Sequence, residues 1–428
     1  MIIMLIGFSC KNYASYYDQA TLSIISSTKD EFKDLNTFDT SFDRLLKSVL
    51  IYGANGSGKS NIIKAMSFMK NMVNMSFTNE DIITECEKFK FNIEAESQPS
   101  MFEIVFVVGD TLYKYGFEIM KKVIHKEWLY KKTNRIVPVF IRESSDYSSI
   151  SLKGELKKEA EIIKSHTREN ALFISTAAMF NIKIAKVIKD WFENSLCIIS
   201  PDYSSPGTTI EYLETGDERK AEVLSFLKKA DFNIEDFDLD AQEEDLDHLD
   251  NLEIELINRK FFKSKIPKEK LNNIKKRIID LKTKHFIYNN KKENVTDINL
   301  PFLKYQSHGT IKFFELSGPI LEALKKGKTL IIDEIDSRLH CAILRYILSL
   351  FNSIDKNLFN AQLICSTHDV LLLEENIRRD QIWFVDKNEY GESELYSLDE
   401  FKDIRKNDPL LKKYLLGVFG AVPFIKEG

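Results

Sequence analysis

Three short stretches hold the residues whose types and spacing could do chemistry. The first is Gly53-Ala54-Asn55-Gly56-Ser57-Gly58-Lys59-Ser60-Asn61, which follows the apolar run Ser48-Val49-Leu50-Ile51-Tyr52. Its pattern is a glycine, four residues, then Gly-Lys-Ser. Glycines let a backbone turn so tightly that successive N–H groups point at one anion, usually a phosphate. A helix starting at the same place adds positive partial charge. Lys59 is then placed for β- and γ-phosphates and Ser60 for Mg²⁺, so ATP and Mg²⁺ are the expected ligands of residues 53–61. The second stretch is Leu330-Ile331-Ile332-Asp333-Glu334, an apolar run that ends in two acids. There Asp333 would hold Mg²⁺ through water, and Glu334 would orient or polarise an attacking water. The third is Gln362-Leu363-Ile364-Cys365 followed by Ser366-Thr367-His368-Asp369, which places His368 as a hydrogen-bonding sensor of the γ-phosphate.

Chemistry of this kind needs strands that end together. Ser48–Tyr52, Lys328–Ile332 and Gln362–Cys365 are short, apolar and β-branched, the pattern of buried strands. After Ser60 the apolar positions Ile62, Ile63, Met66 and Met69 follow helical spacing, so the glycine loop sits between a strand and a helix. Residues 2–8 and 19–25 read as a strand pair. Met101 to Val108, Leu112 to Met120 and Ile136 to Ile141 read as strands of an antiparallel meander, separated by Gly109-Asp110 and Asn134-Arg135. Helices are expected near Ala177 to Phe192, Arg219 to Lys229, Ile311 to Leu324 and Cys341 to Phe351, and a loop over 286–300. The fold class expected is α/β, a P-loop NTPase head with a mixed sheet, an antiparallel meander and a mainly helical insertion. The domain boundaries read are 1–155, 156–299 and 300–428.

Composition narrows the classes. The chain has 428 residues, 43% hydrophobic and 29% charged, which is globular. A net charge of -5 argues against a uniformly basic nucleic-acid binder. Five scattered cysteines with no CxxC pair fit small buried side chains in a reduced, cytoplasmic protein. No run approaches about 20 apolar residues, so no membrane span is expected. The apolar start Met1 to Ile6 lacks a basic flank and reads as a strand rather than a signal peptide. Residues 235–250 hold nine acids and no lysine or arginine, and 259–284 hold eleven lysines and arginines against two acids. Within the basic run Leu271, Ile274, Ile278 and Leu281 mark one amphipathic helix. That run could be a solvated face, meet the acidic run, or hold nucleic-acid phosphates.

The order of glycine loop, large insertion, Asp333-Glu334-Ile335-Asp336 and Ser366-Thr367-His368-Asp369 resembles the ATP-binding-cassette heads of SMC-, RecF- and OLD-type ATPases. The resemblance implies a signature before the acid strand, and Ser307-His308-Gly309-Thr310 occupies that slot, departing from the usual Leu-Ser-Gly-Gly-Gln. It implies that Ser307 and Gly309 contact the γ-phosphate of ATP held by a second subunit, and that Asp336 and Ser337 cross the dimer interface. A narrower match adds Arg338-Leu339-His340, Arg378 to Phe384 and the tail Tyr414 to Pro423. These are similar to the RloA-like AAA/ABC-type ATPases of phage-defence and abortive-infection loci. Val418 stands where those proteins commonly have arginine, and Phe8-Ser9-Cys10-Lys11-Asn12-Tyr13 lacks the arginine of their opening motif.

What the resemblance implies is a homodimer or larger homo-oligomer with ATP between the heads. It also implies a separately encoded effector, RloB-like or a TOPRIM nuclease, with nucleic acid or a phage protein as further partners and no membrane. No TOPRIM-like glutamate followed by Asp-x-Asp is found after His368. Asp236-Phe237-Asp238-Leu239-Asp240 sits in the acidic run instead, so any cleavage is expected from the partner. The alternatives are a RecF-like DNA-repair or DNA-clamping ATPase, and a P-loop kinase. A repair head normally carries a long coiled coil, and a kinase would not need both the acid pair and the histidine motif.

Overall fold

Runs of four or five consecutive buried residues form strands covered on both faces, as in parallel sheets. Ser48–Tyr52, Thr329–Ile332 and Gln362–Ser366 are of this kind. In the computed structural model, which describes residues 3–200, 206–216, 218–230, 234–238, 281–405 and 408–423, they belong to a six-stranded sheet. Its order is Leu196–Ile199, Thr329–Ile332, Gln362–Ser366, Ser48–Tyr52, Ile382–Lys387, Ser393–Ser397. Four neighbouring strands, from Thr329–Ile332 to Ile382–Lys387, are parallel, and Ser393–Ser397 closes the edge antiparallel. Register aligns their carboxyl ends: Ile332 faces Cys365, Ser366 faces Ile51, and Tyr52 faces Phe384. Asp333, Thr367 and Gly53 therefore leave the sheet along one edge, where open α/β sheets bind ligands.

A second sheet of seven strands is antiparallel. Its order is Ile150–Leu152, Ile136–Arg142, Val123–Lys132, Thr111–Met120, Ser100–Val108, Ile3–Lys11, Ala20–Ser23. Val123–Lys132 was not read as a strand from sequence. Its lysines at 126, 131 and 132 break up the apolar pattern, although Ile124 and Leu129 are buried. The helix Lys59–Met75 shares one apolar core with both sheets, and Phe68 lies 5.0 Å from Phe102 between ring centroids.

Two compact units divide the chain, one formed by residues 1–198, 326–334 and 347–428, the other by 199–325 and 335–346. Residues 156–198 join the first unit because Trp191 stacks on Phe106 at 4.1 Å. The expected helix 177–192 is two helices, Phe173–Met179 and Lys183–Asp190, followed by a π-helical turn at Trp191–Ser195. Asn181, with a left-handed φ of 63°, ends the first of them. In the second unit the helix His308–Lys326 carries Pro319, which cannot donate to the Glu315 carbonyl. The Thr209 hydroxyl enters the break: its proton is shared between the Phe314 carbonyl (2.6 Å) and the Glu315 carbonyl (3.1 Å), and it accepts from the Gly318 N–H (3.1 Å).

Residues 286–300 are not a loop. They belong to a hairpin, Lys282–Tyr288 with Asn294–Pro301, in which Thr283 alone is buried and apolar residues such as Ile287, Val295 and Ile298 are exposed, so burial imposes no period-two pattern on it. Most of the two charge runs, with Leu271, Ile274 and Ile278, lies outside the described residues. Among the described residues no helix is long and apolar enough to cross a membrane.

Candidate nucleotide site

The glycine loop has its shape because three positions require glycine, two for lack of room and one for its backbone conformation. At Gly53 a Cβ would strike the Val385 carbonyl and the Ser57 hydroxyl. At Gly58 it would strike the Ser393 and Ser15 hydroxyls, and φ is 118°. Gly56 has open space around it but a φ of 76°, so conformation rather than room selects glycine there. Gly58 is the N-cap of the helix Lys59–Met75, which aims the positive end of that helix into the loop. Lys59 is only 5% exposed, and its ammonium donates to the carbonyls of Gly53 (2.8 Å) and Ala54 (3.1 Å). The Ser57 hydroxyl is buried with no hydrogen-bond partner among the described residues. An enclosed turn with a buried ammonium and an unsatisfied hydroxyl suits a phosphate group.

Ser60 and Asp333 are 273 residues apart in sequence, yet the Ser60 hydroxyl donates to Asp333 Oδ1 at 3.2 Å. The pair fits a Mg²⁺ that keeps part of its water shell: Ser60 would ligate the ion and Asp333 would accept from a water bound to it. Asp333 is 3% exposed. On the intervening strand, the Ser366 hydroxyl donates to the same Oδ1 (2.5 Å) and accepts the Glu334 N–H (2.7 Å). Glu334 follows with a φ of 51°, a left-handed conformation rare for a residue with a Cβ. The strain, about 1–2 kcal/mol, is held in place by the Ser366 contact. His368, exposed, stands beyond the end of the same strand, and Asp369 Oδ1 accepts from the Leu371 N–H at 3.0 Å.

Asn61 and Ser15 belong to the loop's support. Asn61 Nδ2 donates to Ser15 Oγ (2.7 Å), which is paired with the Ser393 hydroxyl (2.7 Å), and the Ser393 hydroxyl in turn donates to the Ser57 carbonyl. The Tyr16 hydroxyl donates to the Gly58 carbonyl (3.1 Å). Burial pushes the Tyr16 phenol well above its usual range, so it stays a donor. Ser15, Tyr16 and Ser393 were not picked out by sequence reasoning. They carry no motif, and Ser15 and Ser393 are 378 positions apart. Ser366 stands in the Ser-Thr-His-Asp motif, where nothing local marks it as the link between Asp333 and Glu334.

In the second unit, Ser307 caps the helix His308–Lys326: its hydroxyl accepts the Thr310 N–H at 3.1 Å. Ser307 is exposed and Gly309 half-buried; a Cβ at Gly309 would sit 2.9 Å from the Arg338 carbonyl. Asp336 lies in the turn after the acid strand and accepts, through its carbonyl, the Leu339 N–H (3.2 Å).

A parallel sheet with a glycine loop, a buried lysine and a serine–aspartate pair at its carboxyl edge defines a P-loop nucleotide-binding domain of mixed α/β type. The chain belongs to the family described as "AAA domain, putative AbiEii toxin, Type IV TA system", which it matches over residues 48–374. It is thus an AAA-type ATPase domain, of a group linked to abortive-infection toxins. No curated protein matches it.

Proposed function

We propose that the chain hydrolyses ATP and that the hydrolysis cycle joins and parts two copies of it. The observation that carries this is the hydrogen-bonded series Ser60–Asp333–Ser366–Glu334 N–H, set beside the Lys59 loop. Gly53 to Ser60 and Asn61 bind the phosphates through backbone N–H groups, and Lys59 neutralises their charge. Ser60 and Asp333 would hold Mg²⁺, which supplies charge neutralisation on the transferred phosphoryl group. Glu334, fixed by its clamped backbone, orients and polarises the attacking water. His368 donates a hydrogen bond to the γ-phosphate. Ser307 and Gly309 of one copy meet the nucleotide of the other, and Asp336 crosses between them.

The biological reading we favour is the regulator of a bacterial anti-phage, abortive-infection system. It acts with a separately encoded effector of RloB or TOPRIM type; the family's link to abortive-infection toxins supports it. A neighbouring gene of that type supports this reading, whereas a DNA-end nuclease next door supports a RecF-like repair role. The mechanistic test is light scattering of Glu334→Gln with and without Mg·ATP. A dimer or larger species that forms with ATP supports joining of copies; a monomer at micromolar concentration contradicts it.

A further inference from the structure

A second site lies away from the glycine loop. A cavity of ≈ 740 Å³ opens between residues 83–96 and the hairpin tip Lys121-Lys122. Its floor is apolar: Ile83, Phe89 and Ile119 line it and are buried. Its rim carries Lys90, Lys121 and Lys122, all exposed. Among the described residues none of these three has an ion-pair or hydrogen-bond partner. Lys88 is already committed, donating to the Glu96 carbonyl (2.5 Å) near its carboxylate (3.8 Å). Glu87 also lines the cavity, so three uncommitted cations face one carboxylate outside the Lys88–Glu96 pair.

Two further observations point the same way. The hairpin Thr111–Met120 with Val123–Lys132 turns in two residues, Met120 pairing with Val123, and both turn residues are left-handed (Lys121 φ 52°, Lys122 φ 61°). Asn-Gly fills such a turn at less cost than two lysines. Two strained lysines therefore stand side by side at the rim, where positive charge is useful to an anion. The sequence Lys88-Phe89-Lys90-Phe91 also alternates cation and ring. Phe91 is 78% exposed and stands edge-on to Phe89 at 5.8 Å, and Ile93 on the cavity wall is 95% exposed.

We propose that this cavity, together with the exposed Phe91 ring that flanks it beyond Phe89, binds a nucleotide unit, with the base at the mouth against Ile93 and Phe91 and the phosphate on Lys90, Lys121 and Lys122. Stacking plus cationic backbone contacts is how single strands are held without sequence preference, and the volume suits one or two such units.

The test uses the full chain with saturating ADP and Mg²⁺, which keeps the glycine loop filled. The probes are a short fluorescein-labelled, 5′-phosphorylated oligothymidylate and thymidine 5′-monophosphate, read by anisotropy and by competition. The key variant is Lys121→Asn with Lys122→Gly. It removes both charges while giving the turn its preferred residues, so it should unfold in urea at or above the wild-type midpoint. The oligonucleotide should bind the wild type, and this variant should lose about tenfold in affinity. The slope of log affinity against log salt should fall by about 0.7, the share of one single-strand phosphate contact. Phe91→Ala should lose about fivefold or more. Competition by the monophosphate at similar concentrations identifies a free nucleotide as the ligand; binding of the oligonucleotide alone identifies a strand. Failure of both probes to bind the wild type, or an Asn-Gly variant with unchanged affinity and salt slope, overturns the proposal.

Discussion

Ser366→Ala removes one oxygen that does two things. Its hydroxyl donates to the buried Asp333 carboxylate at 2.5 Å and accepts the Glu334 N–H at 2.7 Å. A hydrogen bond to a charged group contributes about 1.5–3 kcal/mol and a neutral one about 1 kcal/mol. The change should therefore cost about 2–4 kcal/mol of stability, visible as a lower urea midpoint at unchanged m-value. The functional consequence comes from Glu334. Its left-handed backbone stores about 1–2 kcal/mol, comparable to the N–H contact that restrains it. Without that contact the peptide can relax, and the carboxylate moves with it. A misplacement of about 1 Å costs on the order of 100-fold in rate. The expected result is a kcat lowered about 100-fold while ADP affinity stays within a few-fold, since Lys59 and the loop are untouched. Phosphate release and equilibrium ADP binding measure the two quantities. A Ser366→Ala protein with wild-type kcat would refute the claim that this hydroxyl positions Glu334.

Other expectations follow from the same geometry. Lys59→Ala removes the ammonium that the loop encloses; two to three kilocalories of charge-assisted bonding correspond to about 100-fold weaker ATP binding by calorimetry. Gly58→Ala forces a Cβ into the Ser393 and Ser15 hydroxyls at a φ of 118°, so nucleotide binding should be lost although far-UV circular dichroism stays native. Ser393→Ala deletes the link from Ser15 to the Ser57 carbonyl and should weaken ADP binding several-fold in the same assay. Glu127, fully buried, accepts from the Phe173 and Ile174 N–H groups (2.7 and 3.0 Å) and the Tyr115 hydroxyl, with Arg142 4.0 Å away. Glu127→Ala leaves the Phe173 and Ile174 N–H groups and the Tyr115 hydroxyl without their acceptor and removes the counter-charge of buried Arg142, which keeps its carbonyl partners; it should cost about 3–5 kcal/mol in chemical denaturation.

What could be read in the sequence was what depends on local pattern. Ser48–Tyr52 and Thr329–Ile332 are continuous apolar runs because both faces of a parallel strand are covered, and each hands its next residue to the site. The glycines at 56 and 58 announce left-handed backbone directly. The helix expected over 311–324 is present but begins earlier, at His308, because the Ser307 hydroxyl accepts the Thr310 N–H. What could not be read depends on distance. Nothing in Ser15 or Ser393 marks them as the backing of a loop at 53–60, because their contact exists only once the edge strand Ser393–Ser397 has joined the sheet. Glu334 could be picked as an acid after a strand, but its φ could not. The hairpin at 282–301 was hidden because nearly all its positions are exposed or half-buried, so its apolar residues follow no alternation.

The central claim is that Asp333 and Glu334 turn a nucleotide-binding loop into a hydrolysing site. Steady-state phosphate release from Mg·ATP by wild type and by Glu334→Gln, compared at equal nucleotide occupancy, tests it most directly. The account predicts turnover by the wild type and a loss of at least about 100-fold in the variant with ATP still bound. Equal rates in the two proteins, or no turnover by the wild type, would contradict it.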